Sequence, residues 1–466
     1  MLRAPAAPYD FAALRAREYA RLDAAGLAYL DHAATGLHAA SQLAAHHALL
    51  STTLLGNPHS ESEPARASSA VLDAARLRVL RFLDVDASTH AVCFTAGASA
   101  ALKLVAESYP FGPAAPLVLS ADNHNSVNGV REYARRAGAP VHVLPLDATL
   151  RLDEPAARLA QLPRAGLLAF PAQSNFSGVQ HPLALVDAAH ALGHAVLLDV
   201  AAFVPTHPLS LRRCPADFAT LSFHKLFGYP TGLGALVARR DALARLRRPW
   251  FAGGTVAYAS VGADRHRLHE GHEGFEDGTP DFLGVAALAA GFDLLDEVGM
   301  ARLEAHVARL TTRLVDGLAA LPHVRLHGPR GAADGRRGGT VALDVLDADG
   351  HVVAPEHVEA AARAAGIALR GGCFCNPGAA EAAFGLTSFD LRECLAHFEV
   401  TGDAARAPFS LAALAACVGR PVGAVRLSLG LSSSPGDVDR TLRLLTLFGD
   451  GSMSNRVRES NSRRTR

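Results

Sequence analysis

Short, nearly continuous apolar runs recur through the first half of this chain: Ala91–Phe94, Leu117–Ser120, Val141–Leu144, Ala165–Phe170 and Ala195–Ala202. Two more, one closing at Leu221 and one spanning Ala235–Ala238, flank a turn rich in glycine and proline. Apolar runs of this length predict strands buried on both faces of a mostly parallel sheet. Helical periodicity fills the intervals: Gln42–Leu55, Ser62–Leu83 with Ser62 as cap, the stretch from Thr95–Ser99 to Ser108, and Leu183–Leu192. Strands alternating with helices predict an α/β chain whose sheet is covered by helices. Upstream, Tyr9–Ala25 reads as one amphipathic helix and Leu27–Leu30 as a short strand.

Beyond Lys225 the pattern changes. Arg239–Arg248 reads as a basic helix, Phe251–Thr255 as a turn and Asp264–Asp281 as a polar loop. Leu283–Glu297 and Met300–Leu321 predict long helices that bridge to a second domain. That domain carries strands at Val324–His327, Thr340–Leu346, Ala368–Arg370 and Val425–Leu429. Its helices are Pro355–Ala365 and Ser434–Gly449, the latter capped by Ser434 or Asp437. The expected division is an arm over 1–25, a large domain over 26–290, a small domain over 291–450 and a disordered basic tail over 451–466.

Length supports this division, because 466 residues exceed what one core usually organises. Lys+Arg and Asp+Glu balance at 45 each, which removes any overall electrostatic case for nucleic acid or a membrane surface. The first residues lack the pattern of a signal peptide, and no apolar run reaches membrane-spanning length. The six cysteines show no disulfide framework, so the sequence predicts a reducing, cytoplasmic setting.

Candidate chemistry begins at Ser222-Phe-His-Lys225. A lysine between two buried runs loses solvation, which disfavours its ammonium and suits Schiff-base chemistry. On this segment alone, a solvated loop lysine is an equal reading. Asp199, at the end of the preceding apolar run, changes the balance. A lysine and an aspartate at neighbouring strand ends suit pyridoxal phosphate (PLP), the lysine carrying the Schiff base and the aspartate facing the pyridinium nitrogen. The turn Thr95-Ala-Gly-Ala-Ser99 opens a helix and offers an anion site for the phosphate, although a plain tight turn reads as well. His124, at another strand end, would stack on the ring, and Asn175 would donate to a ring hydroxyl. Taken singly, each is an ordinary loop or turn residue.

The second dense stretch is Arg370-Gly-Gly-Cys-Phe-Cys-Asn-Pro-Gly378. Glycines before two closely spaced thiols describe a mobile reactive cysteine, with Arg370 near enough to favour a thiolate. Zinc would need two further ligands that no partner pair supplies, so no metal is expected. Cys93, Cys214, Cys394 and Cys417 lie in apolar or helical surroundings and are expected to be inert.

Together, Asn123-His-Asn-Ser126, Gln173-Ser-Asn175, Asp199, Ser222-Phe-His-Lys225 and the cysteine loop resemble the class V aminotransferase-like PLP enzymes. Within that family the chain resembles the amino-terminal, cysteine-desulfurase-like domain of molybdenum cofactor sulfurases, from about Leu30 to about Leu447. The resemblance implies PLP-dependent transferase fold type I, with a seven-stranded-type sheet in the large domain and a smaller α+β domain. It implies that Lys225 holds the cofactor and moves the Cα proton, that Asp199 pairs with the ring nitrogen, and that His124 and Asn175 lie against the ring. Thr95, Gly97, Ala98, Ser222 and His224 would hold the phosphate, with Thr279 reaching in from the partner of a homodimer. Cys375 matches the persulfide-forming cysteine, and Arg426 matches the arginine that binds the substrate carboxylate, with Arg370 beside it.

The sequence departs from the family at Ala202, where many cysteine desulfurases have a glutamine, so no second side chain is assigned to the ring oxygen. The sulfurases also continue into a cofactor-binding domain that this sequence does not include, which leaves the sulfur acceptor open. The expected activity is sulfur mobilisation from L-cysteine as a protein persulfide, with release of alanine. A transaminase, epimerase or lyase acting on another amino acid would share fold and cofactor. A non-catalytic sulfur-carrying adaptor stands third, against the presence of Lys225, Asp199 and His124.

Overall fold

A computed structural model describes residues 9–330, 337–396, 398 and 409–449. The tail expected over 451–466 lies outside the described residues. The apolar runs form a seven-stranded sheet: β1 His90–Thr95, β2 Leu117–Ser120, β3 Val141–Leu144, β4 Leu167–Pro171, β5 Ala195–Asp199, β6 Phe218–Ser222 and β7 Gly234–Arg239. Their spatial order is β1-β7-β6-β5-β4-β2-β3. Only β7 runs antiparallel to its neighbours, between β1 and β6, while the other pairings are parallel. Residues such as Val118, Leu168, Phe170, Val196, Leu197, Leu198 and Ala219 are fully buried, as expected of strands covered on both faces. The carboxyl ends of five parallel strands therefore open on one edge: Thr95, Ser120, Pro171, Asp199 and Ser222.

Four short or medium helices leave from those ends and from the cysteine loop: α1 Gly97–Ser108, α2 Asn125–Asn128, α3 Phe223–Phe227 and α4 Pro377–Phe384. The smaller sheet contains β8 Val324–His327, β9 Thr340–Val345, β10 Arg370–Gly372 and β11 Ala424–Ser428, in the order β8-β9-β11-β10, all antiparallel. It faces the open edge of the large sheet. The chain near the amino terminus ties onto this smaller unit, with Ala28–Tyr29 pairing in parallel with Ile367–Ala368 and Asp31 bridging to Ser428.

Several expectations need correction. The helix expected over Tyr9–Ala25 is two helices, Phe11–Glu18 and Ala20–Ala24, because Tyr19 leaves helical geometry to bury its ring. The basic helix shrinks to Arg240–Leu243, and the polar loop contains a strand, Arg265–Leu268, that forms a hairpin with Val256–Ser260. Lys225 sits on the one-turn helix α3 rather than in an open turn. The capping of the last helix is reciprocal, with Ser434 N–H donating to Asp437 Oδ2 and Asp437 N–H donating to Ser434 Oγ. Cys394 and Cys417, expected to be inert thiols, form a disulfide with a Cα separation of 5.8 Å. Helices Ser388–Ala396 and Leu411–Val418 pack through Leu391, Leu414 and Val422, which brings the two sulfurs together. Four cysteines remain free.

Burial also gives the fold an acid sensitivity. His32 is enclosed and near the Arg15 charge, and burial with that charge pushes its pKa down to about 3. Burial also lowers His207 to about 4. The folded state holds these rings neutral while the unfolded chain binds protons below about pH 6.5, so stability falls as pH drops from about 6.5 toward 4. Urea denaturation at pH 7 and pH 5 should show a lower midpoint at the acid value, and His32→Gln should narrow the difference. An unchanged difference would contradict the assignment to His32.

Candidate active site

The site forms where the strand ends meet the smaller sheet. At the end of β6, chain direction reverses through α3, and Gly228 closes it in the left-handed region at φ +80°. This places Lys225 half-buried at the edge of the sheet, with no hydrogen bond or ion pair among the described residues. Its pKa is lowered, chiefly by burial. Asp199 opposes the shift, and the Arg426 charge adds to it. Asp199 Oδ1 accepts from the Ala201 N–H at 3.0 Å and from Thr220 Oγ at 3.2 Å, which fixes the carboxylate while its second oxygen has no hydrogen bond among the described residues.

His124 precedes α2 and is partly buried. Its Nδ1 accepts from the Ser126 N–H at 3.1 Å, so in the neutral ring the proton is on Nε2. Burial and the Lys225 charge lower its pKa, while Asp199 raises it, which favours that neutral ring. At the end of β1, α1 begins at Gly97 with its first N–H groups directed at the same edge. Strand β7 can approach this turn because Gly234 lacks a side chain: a Cβ there would lie 2.4 Å from Gly97 C and 2.7 Å from Ala98 N. Thr95 Oγ donates to Gly97 O at 2.9 Å, and Ser222 Oγ and His224 Nδ1 are 3.1 Å apart on the far side. Thr279 is exposed. It borders a groove shared with Thr95 and Ala96 of its own chain, and Asn57 Nδ2 lies 3.4 Å from its hydroxyl.

The cysteine loop closes this chamber. It follows β10, and both Phe374 and Cys375 adopt left-handed backbone at φ +56°, a costly conformation for side-chain-bearing residues. Cys375 is exposed, whereas Cys373 is half-buried beside Phe176 and Phe374. The Cys375 carbonyl accepts from the Asn125 N–H at 2.7 Å, one residue from His124. Asn175 Nδ2 donates to Phe374 O at 2.7 Å, and its Oδ1 accepts from Asn376 Nδ2 at 2.9 Å. The expected mobile loop is thus held at several points, and Asn175 serves it directly while keeping a second amide hydrogen. Gly378 is required here, because a Cβ would meet Ala121 O at 2.2 Å.

Arg426 on β11 is buried and lies opposite Arg370 on β10. Its guanidinium donates to Asn175 O at 3.0 Å and to Asp31 Oδ1 at 2.9 Å, while its Nε is buried without a partner. Arg370 Nε lies 3.3 Å from the other Asp31 oxygen. One carboxylate therefore bridges two arginines, and a donor remains for a further anion. Arg426 Cζ lies 4.7 Å over the Phe374 ring, which packs the cysteine loop against the same arginine. Sequence reasoning did not single out Asp31, Asp122 or Asn125, whose partners lie far along the chain.

These groups fit pyridoxal phosphate. The amine of Lys225, the carboxylate of Asp199, the neutral ring of His124 and the open amino terminus of α1 are of the kinds that could serve as a covalent anchor, a pyridinium partner, a stacking face and a phosphate cradle. Gln173 Nε2 donates to Ala202 O at 2.8 Å, so an amide side chain reaches the neighbourhood of the family's missing glutamine.

Residues 28–440 match the family model Aminotransferase class-V. The chain is 38% identical over 458 residues to a molybdenum cofactor sulfurase of Anopheles gambiae, covering 92% of this chain and 57% of that protein. It is 34% identical over 467 residues to the molybdenum cofactor sulfurase of Homo sapiens, covering 94% of this chain and 51% of that protein. The chain thus spans little more than half the length of these curated relatives. Among solved structures, a cysteine desulfurase from Thermococcus onnurineus superposes with a TM-score of 0.77 at 23% identity, over 94% of this chain and 98% of that one. The cysteine desulfurase CsdA from Escherichia coli gives 0.74 at 25% identity with the same coverage.

Because the Lys225 shift comes chiefly from burial, with Asp199 and Arg426 as the largest opposed charges, it responds to each in a fixed direction. In the cofactor-free protein, competitive acetylation of Lys225 against pH should show a midpoint below the usual 10.5. Asp199→Asn should lower it further and Arg426→Gln should raise it. A midpoint at the free-lysine value, insensitive to both, would contradict the arrangement.

Proposed function

From a chain that belongs to the class V aminotransferase family, we infer a PLP-dependent sulfurtransferase that takes sulfur from L-cysteine as a persulfide on Cys375 and releases alanine. The acceptor we propose is the molybdenum cofactor, in keeping with the relatives' names. The single observation that carries this reading is the exposed Cys375, on a loop whose carbonyl is held by the Asn125 N–H next to His124 and whose Phe374 packs under Arg426. A transaminase has no use for a nucleophile at that place.

Thr95, Gly97, Ala98, Ser222 and His224 would hold the cofactor phosphate, Asp199 its ring nitrogen and His124 its face, with Lys225 as anchor. Bound there, PLP supplies an electron sink for the bonds at the substrate Cα. Arg426 takes the substrate carboxylate through its unpaired Nε, with Arg370 adding charge and Asp31 giving way or sharing the pair. Lys225, kept as an amine by burial, removes the proton from the substrate Cα and returns protons to carbon. The Cys375 thiolate forms a bond to the substrate sulfur as the substrate carbon–sulfur bond breaks. The electron pair left on carbon is then protonated, giving alanine, and the sulfur stays on Cys375 as persulfide.

We propose further that the protein is a homodimer in which Thr279 serves the partner's phosphate site. The exposure of Thr279 leaves it open to a partner, and large apolar side chains at Leu54, Tyr258 and Val261 are exposed elsewhere on the chain. No described helix is long and apolar enough to cross a membrane; a reducing cytoplasm would suit the free thiol of Cys375 but not the Cys394–Cys417 disulfide.

Cys375→Ser should retain the PLP absorbance and its change on adding L-cysteine, while protein persulfide falls to background. Persulfide formation at the unaltered rate in this variant would contradict the assignment.

A further inference from the structure

Behind the exposed thiol lies a carboxylate that the proposed reaction does not use. Asp122 is fully buried in the turn after β2, two residues before His124. Its Oδ1 accepts from Ser174 Oγ at 2.9 Å and from Asn376 Nδ2 at 2.6 Å, and its Oδ2 pairs with His181 Nε2 at 2.8 Å. Ser174 and His181 belong to the segment that follows β4, so the carboxylate joins three stretches that are distant in sequence.

Asn376 is the hinge of this arrangement. It follows Cys375 directly, donates to Asp122 and Asn175, and accepts from the Ala379 N–H at 3.2 Å as the cap of α4. The Asn125 N–H holds the Cys375 carbonyl on the same side. A buried carboxylate makes charge-assisted bonds stronger than those between neutral groups, and breaking one leaves an uncompensated charge. The left-handed backbone at Phe374 and Cys375 persists only if its surroundings over-determine it, and two charged groups take part: Arg426, 4.7 Å over the Phe374 ring, and Asp122, bonded to the next residue, Asn376.

We infer that Asp122 is a positioning residue for Cys375: its buried carboxylate holds Asn376, and through Asn376 the thiol-bearing loop, closed over Lys225 and His124. The inference rests on the reading of Cys375 as the sulfur acceptor within the protein. Asp122 touches no reacting atom and acts only through Asn376.

The test is a reciprocal exchange in the PLP-loaded protein. Asn376→Asp keeps a capping residue for α4 but sets a second carboxylate against Asp122, and like charges in a buried site drive the loop out. At about pH 8 this variant should form persulfide about 100-fold more slowly, the scale expected when a reacting group is displaced by about 1 Å. The concentration of L-cysteine giving half of the spectral change should stay within about threefold, because Lys225 and Arg426 are untouched. The double variant Asp122→Asn with Asn376→Asp restores a donor–acceptor pair with its direction reversed and should recover most of the lost rate.

Iodoacetamide alkylation of Cys375, followed by peptide mass spectrometry, reads loop release without turnover. It should change by about tenfold or more in Asn376→Asp and return toward the unaltered rate in the double variant. An Asn376→Asp protein with unaltered alkylation, or a double variant with no recovery in either measurement, would overturn the positioning role. If the unaltered protein forms no persulfide while alkylation follows this pattern, the positioning role stands and the desulfuration reading fails.

Discussion

An amine without a partner, held at the carboxyl edge of a buried sheet, sets the terms for everything around it. Desolvation of Lys225 disfavours its charge, and a nearby aspartate and arginine pull in opposite directions. Such a group is tolerated only where the backbone around it is rigid and fully bonded. The strand ends at β5 and β6, and the one-turn helix α3 with its left-handed Gly228, supply that rigidity. The same edge gathers the amino terminus of α1, the ring of His124 and the carboxylate of Asp199, so one topological feature delivers every group that a PLP site needs.

The smaller sheet completes the chamber from the opposite side. β11 presents Arg426, β10 presents Arg370 and leads into the cysteine loop, and Asp31 from the amino-terminal segment joins both arginines. The loop is pinned through Asn175, Asn125 and the buried Asp122–Asn376 bond, and its strained backbone is held by those contacts. Cys375 is thereby exposed and fixed at once, which suits the role proposed for its thiol.

Much of this was legible in the sequence where the physics is local. The runs at Leu117–Ser120, Val141–Leu144 and Val324–His327 form strands with the expected limits, because short apolar runs between turn residues have few alternatives. Asp199 and Arg426 lie near enough to Lys225 for their charges to act on it, although the three are far apart in the sequence. Local patterns failed where tertiary packing decides. The strand Arg265–Leu268 is largely exposed and charged, so it carries no apolar signal of its own and is ordered by pairing with Val256–Ser260. Cys394 and Cys417 meet only because two helices pack, and their 23-residue separation announces nothing. Asp122, Asn376 and Asp31 are ordinary turn residues in the chain, and their partners lie hundreds of positions away.

The central claim is that Lys225 and Cys375 act on one bound L-cysteine. The most direct measurement mixes the PLP-loaded protein with L-cysteine for a single turnover, then quantifies alanine and protein-bound persulfide together and maps the persulfide by peptide mass spectrometry. The account predicts alanine and persulfide in equal amounts, with the sulfur on Cys375. A cysteine-induced change in the PLP spectrum with neither product would contradict it and place the chemistry elsewhere in the family.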